Sequence, residues 1–98
     1  MTVIRKFEKQ FNGFRSNDQH AIKNLFDYDF GSQAGEILFQ SESLEEAKRV
    51  FDLIQLKKVK LERGNIFNFY FLDKEIYDED GDLIEVESYD AKHDIIED

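Results

Sequence analysis

Apolar and polar positions alternate most clearly from Ile66 to Leu72. Phe67, Phe69 and Phe71 fall on one side, and Ile66, Asn68, Tyr70 and Leu72 on the other. A period of two with aromatic residues predicts a strand, one face buried and the other partly covered. Glu75-Ile76-Tyr77 continues it. Asp78-Glu79-Asp80-Gly81-Asp82 then reads as a turn, because Asp80-Gly81 tolerates left-handed backbone. Leu83-Ile84-Glu85-Val86-Glu87 returns as a strand. The pair forms a hairpin with a greasy inner face and an acidic outer rim.

The period upstream is longer. Val3, Ile4, Phe7, Phe11 and Phe14 recur at helical spacing with Arg5, Lys6, Glu8 and Lys9 between them. They predict an amphipathic helix ending near Asn12-Gly13, with a strand over Thr2–Phe7 as the competing reading. Ser16 and Gln19 have capping-box spacing ahead of a short helix with Ala21, Ile22, Leu25 and Phe26 on its apolar stripe. Tyr28 and Phe30 are expected to cover its end, and Gly31–Gly35 to form a loop. Glu36–Gln40 reads as a strand. Ser43, followed by Glu46 three residues on, opens a helix whose apolar face is Leu44, Ala47, Val50, Phe51 and Ile54. Val59 and Leu61 alternate with lysines in a strand to about Arg63, and Gly64-Asn65 turns into the aromatic strand. The tail Ala91–Asp98 is either a short docked helix or frayed.

The expected order is α-α-β-α-β-β-β. The fold class is α+β: a small antiparallel meander of three to four strands, with two to three helices packed on one face. At 98 residues the chain is one domain, 1–98.

Charge changes the picture. Of the net −9, residues 1–72 contribute +1 and residues 73–98 contribute −10. Such an asymmetry speaks to partners rather than to fold. The candidate binding surface is therefore the rim: Asp73, Glu75, Tyr77, Asp78, Glu79, Asp80, Asp82, Glu85, Glu87, Tyr89 and Asp90. Carboxylates two apart on a strand stand about 6.7 Å apart on one face, a condition met by Glu85 and Glu87. Such a ladder resembles the electrostatic footprint of a nucleic-acid backbone and suits a groove lined with Lys and Arg. Tyr77 and Tyr89 flank it as partly apolar anchors. The bland alternative is a solvated edge whose charges block aggregation.

Other chemistries find less. Setting Gly81 at the invariant glycine of a helix–loop–helix calcium site places Ile76 where the first Asp is required, so no metal is assigned. Lys57, Lys58, Lys60 and Arg63 precede the aromatic run, but those aromatics belong to a core face and the acidic quarter repels phosphate. Direct nucleic-acid binding is therefore not expected. His20 and His93 lie on a polar helix face and in the acidic tail, both expected to be exposed. No nucleophile motif accompanies them, so no catalytic residue and no cofactor are assigned. No apolar run approaches the about 20 residues of a membrane span, and no signal peptide is read at MTVIRKFEKQ. The absence of Cys fits a cytoplasmic setting.

In length, lack of Cys and the run DKEIYDEDGDLIEVESYD, the chain resembles the small acidic inhibitors that phages and mobile elements use against nucleic-acid enzymes. Anti-CRISPR and anti-restriction proteins that occupy DNA-binding clefts are among them. The resemblance implies a non-enzymatic inhibitor whose partner is a basic, nucleic-acid-handling protein. Immunity proteins and antitoxins share the same physics and stay open as an alternative, as does an accessory structural domain with no inhibitory role.

Overall fold

A computed structural model describes residues 1–27 and 35–97. Eight elements follow in order: β1 (Thr2–Gln10), α1 (Gln19–Leu25), β2 (Glu36–Ser41), α2 (Leu44–Asp52), β3 (Lys58–Lys60), β4 (Ile66–Tyr77), β5 (Leu83–His93) and β6 (Ile95–Glu97). A four-stranded antiparallel sheet has the order β2-β1-β4-β5, and β3 and β6 form a separate parallel pair. The class is α+β, as expected. The order differs, and among the described residues there are two helices.

The first segment is a strand, not a helix. Val3, Phe7 and Phe11 are spaced by four, and four is even, so they share a face in either structure. What decides is the partner. β1 lies between β2 and β4 and pairs with β4 over its whole length, from Thr2↔Lys74 to Gln10↔Ile66. Adjacent Val3 and Ile4 point to opposite faces and both are buried, so both faces of the sheet are covered at this strand.

The same fact overturns the expectation of helices on one face. On β4, Tyr70 and Leu72 join Ile4 beneath Ala47 and Phe51 of α2. Phe67 and Phe69 join Leu25 of α1, with Phe11 and Leu61, on the opposite side. Alternation on β4 therefore feeds two cores, one per face. Nor is the C-terminal half a meander. β3 is a three-residue strand that leaves the main sheet and pairs with β6 instead. The tail is neither helical nor frayed. Ala91–His93 completes β5, Asp94 is fully buried, and β6 docks beside β3.

Local signals set the helix ends. α1 starts from Asp18, whose carboxylate accepts from Ala21 N at 3.1 Å, so Ser16 is not its cap. Ser43 caps α2 through Glu46 N at 3.3 Å. The Glu46 carboxylate accepts instead from the Ser41 hydroxyl, which in turn accepts from Ser43 N. Tyr28, Phe30 and most of the predicted 31–35 loop lie outside the described residues. Among the described residues no helix is long and apolar enough to cross a membrane.

Candidate functional site

The β4–β5 hairpin outruns the sheet. β1 begins opposite Lys74, and Met1 supplies the last contact, its carbonyl accepting from Glu75 N at 2.9 Å. Beyond that point, among the described residues, β4 and β5 pair only with each other. From Tyr77 to Ala91 every residue is exposed, and no Lys, Arg or His occurs in that stretch.

Asp78 builds the tip. Its Oδ1 accepts from Asp80 N at 3.0 Å and Asp82 N at 2.9 Å, and its own N–H donates to Asp82 O. Gly81 closes the turn at φ 84°, a conformation that a Cβ would strain. Glu79, Asp80 and Asp82 are held out into solvent around this frame.

Register then sorts the arm into faces, because directly paired residues share one. Lys74 pairs with Glu87, and Ile76 with Glu85. Asp73 pairs with Ser88, Glu75 with Val86, and Tyr77 with Leu83. One face thus carries Glu85 and Glu87, with Lys74 directly across from Glu87. The other carries an apolar facet of Tyr77, Leu83 and Val86. Ile84, 62% exposed, occupies the bulge between Ile76 and Tyr77, and Tyr89 the bulge between Leu72 and Asp73.

Two residues of the expected rim are not rim residues. Glu75 is only 2% exposed. Its carboxylate receives both Nε of Arg5 at 2.6 Å and Nη2 at 2.9 Å, a bidentate pair, and also the Tyr77 hydroxyl. Arg5 spends its third donor on Gly35 O at 2.8 Å. The Arg5 hydrogen bonds hold the Glu75 carboxyl below its ordinary range in spite of burial, and the same bonds raise Arg5. The hydrogen bond to Glu75 raises Tyr77. This network is the root of the arm. Asp73 is half-buried; burial pushes its carboxyl up, with a hydrogen bond from Ser88 working against that.

Asp78, Glu79, Asp80, Asp82, Glu85, Glu87 and Asp90 remain on the surface with Tyr77 and Tyr89. Asp90 uses one oxygen to accept from Ala91 N. Sequence reasoning did not single out Leu83, Ile84 and Val86, which the structure leaves exposed. Their alternation signals a strand, and they stay exposed because neither helix packs on this end of the sheet.

The rival constellations look different in three dimensions. Phe67 and Phe69 are fully buried and Tyr70 nearly so, which removes them as platforms for bases. His93 is not exposed in a loose tail. Its ring packs 4.8 Å from Phe26 and 5.8 Å from Phe69, between centroids. His20 is exposed beside a cleft of about 470 Å³ between β1 and α1, lined also by Glu8, Asp18 and Asn24. Lys9 in that cleft is tied to the carbonyls of Asn24 and Asp27. Among the described residues no three His, Cys, Asp or Glu side chains are grouped to hold a metal ion.

No protein-family model, curated protein or solved structure matches the chain.

Proposed function

We propose that this protein is a non-enzymatic inhibitor that places its acidic hairpin in the basic, nucleic-acid-binding cleft of a cytoplasmic target, in the manner of anti-CRISPR and anti-restriction proteins. The observation that carries the reading is the hairpin beyond Glu75: a two-stranded arm, exposed throughout, bearing carboxylates without a cation from Tyr77 to Ala91. A cleft lined with Lys and Arg gains rate and register from such an arm. The facet of Tyr77, Leu83 and Val86 supplies apolar area that charge alone does not. The Arg5–Glu75 pair ties the root of the arm to β1.

The test is a tagged capture from host lysate with mass spectrometry, wild type beside the Asp78→Asn, Asp80→Asn, Asp82→Asn variant. Asn at position 78 retains an acceptor oxygen for the two turn N–H groups, so the variant removes charge while keeping the tip. Wild type is expected to hold a nucleic-acid-handling protein, and the variant to bind it at least about tenfold more weakly. Binding of the wild type should fall steeply with salt, and DNA should compete for the target. Equal capture by both proteins would move the working surface away from the rim.

A further inference from the structure

We propose that the free edge of β5, over Glu85–Ser88, receives an extended segment of the basic partner as a fifth strand of the sheet. The inference rests on the proposed acidic-arm reading and adds the mode of binding and the pattern of the segment bound.

β5 ends the sheet, with β4 on one side and, among the described residues, no strand on the other. Alternate residues of such a strand direct both backbone N–H and C=O away from the sheet. Two bulges interrupt the pairing, between Leu72 and Asp73 and between Ile76 and Tyr77. Between them Glu85, Val86, Glu87 and Ser88 keep a regular ladder with β4, and of the regular stretches of β5 this is the one whose residues are all exposed and free of cations.

Charge selects the occupant. A second copy pairing antiparallel through this stretch would set Glu85 and Glu87 against the same residues of the copy, and like charges across a ladder repel. A cationic strand meets the opposite situation. Its Lys or Arg side chains would lie along the face of Glu85 and Glu87, and its alternate apolar side chains along Val86, Leu83 and Tyr77. Backbone hydrogen bonds supply affinity in such complexes, and the alternating faces supply selectivity. The fitting partner is therefore an extended protein segment in which cationic and apolar residues alternate.

The test uses the intact protein and two synthetic peptides of equal charge. One alternates lysine and valine; the other is the same peptide methylated at every backbone nitrogen. Affinity is read by titration, and the location by amide hydrogen exchange. The first peptide should slow exchange of the outward-facing amides within Glu85–Ser88, and the methylated one should bind about tenfold or more weakly. Equal binding with no protection of those amides would overturn strand addition and leave the charge reading standing. Failure of both peptides to bind would overturn both. Protection at β2 in place of β5, or protection at β5 that grows with protein concentration before any peptide is added, would also overturn the proposal.

Discussion

Glu75→Gln should destabilise the domain by about 3 kcal/mol, the scale expected when one partner of a buried ion pair is removed. The carboxylate is nearly inaccessible and the Arg5 side chain is 12% exposed, so Arg5 would be left charged, largely desolvated and short of an acceptor. Tyr77 would lose its charged acceptor as well. For a domain of this size the melting temperature should fall by about 12–24 °C. The joint change Arg5→Met with Glu75→Leu should recover most of the loss, because removing both charges leaves none unpaired. Chemical denaturation of the three variants measures this. A double variant no better than Glu75→Gln would show that the pair's geometry, not its charge balance, is what the fold needs.

The same pair sets a pH dependence. Glu75 has a lower pKa folded than its ordinary value of 4.5. A carboxyl of that kind contributes stability above its unfolded pKa, and the contribution is lost as pH falls through the folded value. Asp73 acts with the opposite sign. Its pKa is raised from 3.8 by burial, so acidification relieves a cost and favours the folded state. The Glu75 contribution should therefore fade below about pH 4.5, with Asp73 acting against it. Glu75→Gln should lose that acid-side slope, which thermal melts in a series of buffers would reveal.

The second large effect lies at Asp94. One oxygen accepts from Lys57 N at 3.1 Å and the other from Asn68 N at 2.9 Å, and the residue is fully buried. A single carboxylate thus ties the approach to β3, the start of β4 and the end of β5 together. Asp94→Ala would leave two backbone donors buried without partners, a loss of about 3 kcal/mol. Asp94→Asn keeps one acceptor oxygen and should cost roughly half as much. Neither should alter binding at the rim once the protein is folded. A destabilisation below about 1 kcal/mol for the alanine variant would mean that water replaces the carboxylate.

Asp94 also illustrates how charge in a sequence misleads. It stands in a tail rich in acids, next to Ile95-Ile96, and looks like one more solvated carboxylate. Glu75 sits in the acidic run in the same way. In the fold both are interior, because each meets donors brought from far along the chain: Arg5 for one, Asn68 and Lys57 for the other. Acidic composition predicts a field; it does not predict which acids are matched.

Local chemistry was legible. The Ser43 cap, the apolar stripe of α2, the alternation of β4 and the Gly81 turn depend on residues within a few positions of one another, and the structure holds them where the pattern puts them. The segment Val3–Phe11 was not legible in the same sense, because a spacing of four satisfies helix and strand alike. The choice fell to β4, which offers β1 a ladder nine pairs long. Other contacts between distant segments decided that both faces of the sheet are covered and that β3 pairs with β6. The sequence by itself determined the elements with short-range signals and the sign of the field at one end. Tertiary structure decided which acids are matched by donors inside and which apolar residues stay outside, because burial and hydrogen-bond pairing are properties of partners that sequence neighbours do not supply.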